Sequence, residues 1–331
     1  MSEPGVACET CPAARLTNLQ RLGVSVEGCD YVVALAGNPN TGKSTVFNAL
    51  TGLRQHTGNW PGKTVTRAEG SFSADDKRFK LVDLPGTYSL LATSQDEEVA
   101  RNFILFAQPD VTVVVVDATC LERNLNLVLQ ILEITDRVVI CLNLMDEAER
   151  KGLDIDARRL ARDLGVPVIP TSARYGDGLE DLVRTVGQVA RGDVVSRPHR
   201  IATRTPSLQR AVTEIADELE TSFTSLPNAR WVALRLLDAD SRIEEAVRSG
   251  ELGELYEPPD GTPEVETSAA ETEALFERVD RLRWKVGGGF HQALVETVYT
   301  EAARLTDRAV HHVGACLLIH ISEPTRRNQS S

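Results

Sequence analysis

Residues 31–51 read YVVALAGNPNTGKSTVFNALT: an apolar β-branched run, a glycine-rich turn, then a segment of helical character. The turn, Gly37-Asn38-Pro39-Asn40-Thr41-Gly42-Lys43-Ser44, is a complete GxxxxGK[ST] loop. Its glycines let the backbone wrap closely around an anion, with N–H groups and the start of the following helix facing it. In such a loop Gly37, Asn38, Asn40, Thr41, Gly42, Lys43, Ser44 and Thr45 surround nucleotide phosphates. Lys43 reaches the β- and γ-phosphates, and the Ser44 hydroxyl ligates Mg²⁺.

Outward from the loop, short apolar runs alternate with helical patterns. Strands are predicted at 31–36, 65–72, 78–82, 111–116, 138–142 and 166–169, with a polar turn at 73–77. Helices are predicted at 43–51, 121–135, 155–164 and 179–190. This alternation implies an α/β unit, a mostly parallel sheet with helices on both faces. The unit spans 31–192, after an N-terminal segment (1–30) read as flexible. Residues 193–206 read as a linker, preceding a smaller all-helical domain at 207–312. Helical patterns there cover 208–219, 229–237, 243–247, 269–286 and 294–309, with an acidic Pro/Gly loop at 257–268. The chain shows no internal repeat.

Three further motifs follow in an order that gives them weight. Asp83-Leu-Pro-Gly86 comes directly after a strand; its carboxylate can hold Mg²⁺ through water, and the Gly86 N–H can sense a γ-phosphate. Asn143-Leu144-Met145-Asp146 ends another strand. The Asp146 carboxylate accepts from the N1–H and N2–H₂ donors of guanine and disfavours adenine, which presents the opposite pattern. Leu144 stands where a lysine is usual, so apolar packing must replace the lysine stem over the base. Thr171-Ser172-Ala173-Arg174 would meet the guanine O6 through its backbone. A threonine between the first two motifs should close over Mg²⁺; Thr57, Thr64 and Thr66 are all candidates on spacing. Together these describe a Ras-like P-loop GTPase fold.

Composition bounds the alternatives. The chain has 331 residues, 42% of them hydrophobic, enough for a substantial core, and a formal charge of −12. That charge excludes a general nucleic-acid binder with a basic face. Six scattered cysteines do not make a disulfide framework, and Cys8-Glu-Thr-Cys11 alone completes no tetrahedral metal site. The N-terminus carries no signal-peptide core. The longest weakly polar run, 309–321, is broken by His311, His312 and His320 and is too short to span a membrane, so the chain reads as soluble.

GNPNTGKSTVFNALTG, HTGNWPGKTV, DLPGTYSL, NLMDEAERKGLDID and TSARYGDGLEDL closely resemble the cytosolic region of ferrous iron transport protein B, over roughly residues 31–190. Residues 200–310 are similar in length and character to that family's helical spacer domain, and TDRAVHH (306–312) resembles the approach to its first membrane helix. The resemblance implies Thr64 as the magnesium-sensing threonine. It also implies a K⁺ ion beside the phosphates, held by Asn40 and carbonyls near Gly58 and Trp60; a plain loop-capping role is the alternative for Asn40. Thr87 stands where many GTPases place a water-orienting glutamine, so the implied reaction is slow and potassium-stimulated, with Lys43, Asn40, Thr64 and Gly86 as its catalytic groups. Implied partners are GTP, GDP, a membrane-embedded iron-permease domain, a small partner protein and further copies of the chain. The full-length protein would lie in the inner membrane with this region cytoplasmic. Residues 317–327 (LLIHISEPTRR) resemble a translated sequencing adapter, and 313–331 reads as a truncation tail. The competing functions are a soluble GTPase of ribosome or RNA maturation, which the acidic balance disfavours, and a non-catalytic nucleotide-gated binding module. Trp60 reads either as a ligand-stacking aromatic or as a surface-loop residue that orders on nucleotide binding, and His311-His312 as a polar pre-membrane stretch.

Overall fold

Three runs of consecutive apolar residues build the centre of the sheet. In the computed structural model they are β1 (Tyr31–Gly37), β5 (Val111–Asp117) and β6 (Val138–Asn143), buried along almost their whole length. Strands covered on both faces need apolar side chains at every position rather than at alternate ones. The structure describes residue 19 and residues 22–52, 55–91, 94–200, 206–223, 226, 228–249, 269–286 and 290–312. Cys8, Cys11, Cys316, His320, the 257–268 loop and the 317–327 tail lie outside these residues.

The seven-stranded sheet has the order β2-β3-β4-β1-β5-β6-β8. The added strands are β2 (Gln55–Asn59), β3 (Thr66–Ala74), β4 (Lys77–Asp83) and β8 (Val168–Pro170). β1 pairs in parallel with β4 and β5, β5 with β6, and β6 with β8, while β2–β3 and β3–β4 are antiparallel. The β3–β4 hairpin turns on Asp75 and Asp76, at φ 50° and 58°. Two successive positive φ values match the strand twist in a two-residue hairpin, and aspartate tolerates them.

The α/β unit carries α1 (Lys43–Thr51), α2 (Gln95–Asn102), α3 (Leu121–Ile134), α4 (Met145–Arg150), α5 (Ala157–Leu164) and α6 (Leu179–Arg191). Because successive strand residues point to opposite faces, the sheet has two cores. Val33, Leu35, Val113 and Val115 pack with α1 and α6 through Val46, Phe47, Leu182 and Val186. Val32, Ala34, Val114 and Val116 pack on the other face with α3 and α5, through Leu125, Leu129 and Leu160.

That second core runs unbroken into the C-terminal helices α7 (Pro206–Ser222), α8 (Ala229–Leu237), α9 (Ser241–Ser249), α10 (Ala269–Val286) and α11 (Phe290–Ala309). Polar contacts fix the seam. Asn228 caps α8 by accepting from the Trp231 N–H, and its own amide donates to the Glu133 and Ile134 carbonyls that end α3. A short β9 (Val310–His312) pairs antiparallel with β7 (Leu153–Ile155), stitching the end of α11 to the α/β unit. No helix among the described residues is long and apolar enough to cross a membrane.

Several expectations need correction. β2 (QHTGN) was not predicted, since it has no apolar pattern and is held by the β3 ladder alone. Also unpredicted were α2, α4 and a π-helical turn at Phe103–Ala107. The helix expected from 155 begins at 157, because Asp156 caps it through the Arg159 N–H and Ile155 belongs to β7. Within the expected linker, Arg197 and His199 donate their N–H groups to the Gly165 and Leu164 carbonyls, so this part runs pinned along the end of α5. His311 and His312 lie in β9, paired with Asp154 and Leu153.

Candidate nucleotide-binding site

Parallel pairing delivers the motifs to one place. β1, β4, β6 and β8 all run the same way, so the loops following Gly37, Asp83, Asn143 and Pro170 leave the same edge of the sheet. Open parallel sheets take ligands at that carboxyl edge.

The glycine-rich loop is shaped by two positions that tolerate no side chain. A Cβ on Gly37 would lie 2.6 Å from the Val115 carbonyl oxygen. Gly42 sits at φ +82°, and a Cβ there would meet the Asn143 amide nitrogen. Thr41 is buried and donates its hydroxyl to the Asn38 carbonyl at 3.0 Å. Asn38 is also buried, and its amide nitrogen has no hydrogen-bond partner among the described residues. Asn40 is exposed, at φ +68°. No side chain caps the first turn of α1, where Ser44 and Thr45 are exposed.

Lys43 bridges the loop to the second motif. Its ammonium pairs with Asp83 and donates to the Leu84 carbonyl at 2.8 Å. Burial pushes the Asp83 carboxyl above its ordinary range, and Lys43 only partly offsets this. The Gly86 backbone packs on Pro39, and the buried Thr87 donates its N–H to the Gly37 carbonyl at 3.3 Å.

Asn143 joins the two halves of the site. Its amide nitrogen donates to the Thr41 carbonyl at 3.0 Å, and its oxygen accepts from the Ala173 N–H at 3.0 Å and the Thr171 hydroxyl at 3.3 Å. One buried side chain thus spaces the glycine-rich loop against the Thr171–Arg174 segment. Beside it Leu144, half-buried at φ +63°, starts α4; the Met145 N–H donates to the Thr171 carbonyl, and the Asp146 N–H to the Ser172 hydroxyl. The Asp146 carboxylate is held by Arg150 at 2.7 Å. Ser172 and Ala173 are buried, while Arg174 is exposed beside the Tyr175 ring.

The loop between β2 and β3 makes its contacts with α2, Phe103 and β3. Thr64 is exposed, with its hydroxyl 3.4 Å from the Gln95 amide oxygen on α2. Trp60 is no surface aromatic: it is 3% exposed, packs edge-on against Phe103, and lies under the Arg67 guanidinium. Its carbonyl accepts from the Lys63 N–H, and Gly58 sits opposite Arg67 in the β2–β3 ladder. β2 is three strands away from β1 in the sheet, about 14 Å at ordinary strand spacing.

Other supporting residues were missed from sequence. Gln130 is buried on α3, a helix that reads as simply core-facing, and accepts from the Leu90 N–H at 2.7 Å and the Ser89 hydroxyl at 3.0 Å. Only its polarity within an apolar stripe could have signalled it. Arg235, also buried, joins Asp238, Asp240 and the Leu91 carbonyl.

Comparison with known proteins reaches both halves of the chain. Residues 31–186 match the family model "Ferrous iron transport protein B", and residues 205–311 match "FeoB cytosolic helical domain". The chain is 42% identical over 212 residues to the Fe(2+) transporter FeoB of Salmonella typhimurium and equally to that of Escherichia coli K12, covering 63% of this chain and 27% of each relative. Its fold is similar to a variant of S. thermophilus NFeoB bound to GDP, with TM-score 0.70, 30% identity, and coverage of 85% of this chain and 100% of that one. The cytosolic domain of the T. maritima FeoB iron transporter in its GMPPNP form gives TM-score 0.67 and 31% identity, with 85% and 99% covered.

This chain belongs to the ferrous iron transport protein B family. It spans about a quarter of the length of its curated relatives, the FeoB G domain followed by the cytosolic helical domain. The 153–155/310–312 strand pair joins those two FeoB units here.

Proposed function

We propose that the chain binds GTP and GDP and hydrolyses GTP slowly, as the regulatory part of a membrane-embedded ferrous iron transporter. The observation that carries this is the Asn143 side chain, which ties the Thr41 carbonyl to the Ala173 N–H. It holds the phosphate-binding and base-binding loops at one spacing. The unpaired Asn38 amide and the uncapped first turn of α1 are donors that phosphate oxygens would satisfy. The relatives crystallised with GDP and GMPPNP support the same reading.

Each residue then has a task. Lys43 leaves Asp83 for the β- and γ-phosphates, and Asp146 reads the guanine donors with Met145, Ser172, Ala173 and Arg174 around the base. The Ser44 and Thr64 hydroxyls and the Asp83 carboxylate are a hard oxygen set suited to Mg²⁺, which supplies neutralising charge on the phosphates. The Asn40 side-chain oxygen with the Gly58 and Trp60 carbonyls would suit K⁺, which would add positive charge beside the phosphates. With the Thr64 hydroxyl now on Gln95, Thr64 and those carbonyls would come to the phosphates as the loop closes. The Gly86 N–H meets the γ-phosphate. Thr87 cannot take the place of a water-orienting glutamine while it is buried against Gly37. In the full-length protein the permease portion, a small partner protein and further copies of the chain would read the nucleotide state from the cytoplasmic side of the membrane.

Calorimetric titration with GDP, ADP and xanthosine diphosphate tests the specificity. GDP binds and ADP does not; Asp146→Asn reverses the preference toward xanthosine diphosphate, whose second ring oxygen suits an amide donor. Hydrolysis is severalfold faster in K⁺ than in Na⁺, and Asn40→Ala removes the difference. Equal rates in the two salts would refute the cation role.

A further inference from the structure

Helix α2 holds the Thr64 loop on one side and the helical unit on the other, and one carboxylate does both. The two oxygens of Glu98 go to different cations: Oε2 to the Lys63 ammonium at 2.9 Å, and Oε1 to the Arg242 guanidinium at 3.0 Å. Lys63 adjoins Thr64, whose own hydroxyl meets Gln95 in the first turn of the same helix. Lys63 and Glu98 are mostly shielded, with side chains 28% and 17% exposed. Burial alone would raise the Glu98 carboxyl, but the hydrogen bonds from Lys63 and Arg242 outweigh it and hold it below its ordinary value. One turn further along α2, Arg101 pairs with Asp240 at 3.5 Å, and Arg235 holds the same carboxylate from α8. α2 is therefore fixed to the α8–α9 junction by the buried Arg101–Asp240 pair and the exposed Glu98–Arg242 pair, and Lys63 is paired with α2.

We propose that Lys63 and Glu98 form a latch that sets the preference between GTP and GDP, and that Arg242 of the helical unit tunes it. This rests on Thr64 being the residue that closes over the triphosphate. Closure takes Thr64 from Gln95 and its neighbour Lys63 from Glu98. The latch therefore opposes binding of a triphosphate, which needs the closed loop, and leaves a diphosphate, which does not, unaffected. A ligand shifts such an equilibrium only by its differential affinity for the two states, and its apparent affinity falls with the population of the competent one. Arg242 shares the Glu98 charge, so removing it concentrates that charge on Lys63 and tightens the latch.

The test is the ratio of dissociation constants for GDP and a non-hydrolysable GTP analogue in Mg²⁺, measured with fluorescent nucleotides on the full chain. Lys63→Met and Glu98→Gln are expected to tighten the analogue about three- to tenfold while GDP moves less than about twofold. The GDP value doubles as the control for folding. Arg242→Gln weakens the analogue about twofold in the wild-type background and has no effect when combined with Lys63→Met. Unchanged ratios in both latch variants, or equal shifts for the two nucleotides, overturn the latch. Thr64→Ala separates the two ideas. If it weakens the analogue while Lys63→Met does nothing, Thr64 closes the site and the latch is wrong; if it leaves the analogue unchanged, the Thr64 reading fails and the latch with it.

Discussion

Replacing Asn143 by alanine removes the side chain that spaces the two halves of the site, and its effect can be worked from the contacts. Two main-chain groups lose their partner in a buried setting: the Thr41 carbonyl and the Ala173 N–H. The Thr171 hydroxyl also loses an acceptor but retains the Leu142 carbonyl at 3.4 Å. An unpaired buried group costs about 1–3 kcal/mol, so two cost about 2–6 kcal/mol. A domain with about 5–15 kcal/mol in total stays folded at the lower end of that cost. Urea unfolding of the nucleotide-free chain should show this loss. Calorimetry should show GDP affinity falling by about ten- to a hundredfold, because each 1.4 kcal/mol of lost loop organisation is roughly a factor of ten. Asn143→Asp sharpens the test. It keeps the size but sets a carboxylate oxygen against the Thr41 carbonyl, so it should be as damaging at neutral pH and recover in acid, where a protonated carboxyl can donate again. A stability within about 0.5 kcal/mol of wild type with unchanged GDP affinity in Asn143→Ala would refute the spacer role.

The remaining predictions are narrower. Burial raises the Asp83 carboxyl above 3.8 in the folded chain. Between that value and the raised one the folded state binds more protons, so this group's contribution to stability falls as pH rises. The stability of wild type minus that of Asp83→Asn, without nucleotide, should decline from pH 4 upward as determined by urea midpoints; a flat difference counts against it. Cys141 is fully buried and its thiol is pushed up to about 12 by that burial. Iodoacetamide at pH 8 should leave it unmodified in the folded chain while alkylating the exposed Cys120, as read by peptide mass mapping. Arg235→Met takes the buried guanidinium from Asp238 and Asp240, leaving them His291 and Arg101, and thermal unfolding should report a loss of about 3 kcal/mol. Gly42→Ala, strained at φ +82° and driven into the Asn143 amide, should abolish detectable GDP binding while the chain stays folded by circular dichroism.

What was legible in the sequence follows from where the free energy is local. β1, β5 and β6 announce themselves because a strand buried on both faces must be apolar throughout. The glycine-rich loop is legible because Gly37 and Gly42 meet steric limits no other residue satisfies. β2 was not, since QHTGN has no apolar face and its order comes from the β3 ladder. Neither reading of Trp60, ligand-stacking or surface-loop, anticipates its burial, because Asn59, Pro61 and Gly62 around it suggest an open loop while its packing against Phe103 depends on a partner forty-three positions away. Lys63 with Glu98, and Gln130 with Leu90, are likewise pairings that only the assembled fold creates. Local pattern carries no trace of them.

The placement of Gln130 and Arg235 bears on how a nucleotide signal could leave the site. The Leu90 N–H is held by Gln130 on α3, and the Leu91 carbonyl by Arg235 on α8. Both anchors are buried, so the chain just beyond the Asp83–Gly86 motif is clamped between the sheet-covering helix and the helical unit. Any approach of Gly86 to a γ-phosphate must then be absorbed by Thr87, Tyr88 and Ser89, before it reaches the clamp. Rigid-body transmission along this backbone is thereby blocked unless α2 moves as a whole, and α2 is held by the buried Arg101–Asp240 pair. Coupling needs an element with two arrangements that both sites bias. The clamped backbone offers one, whereas the proposed latch gives Lys63 two: paired with Glu98, as in the structure, or released with Thr64. The side-chain latch is therefore the better candidate for carrying nucleotide state to the helical unit. Cutting the Leu91–Arg235 contact should lower stability without changing the preference between GTP and GDP.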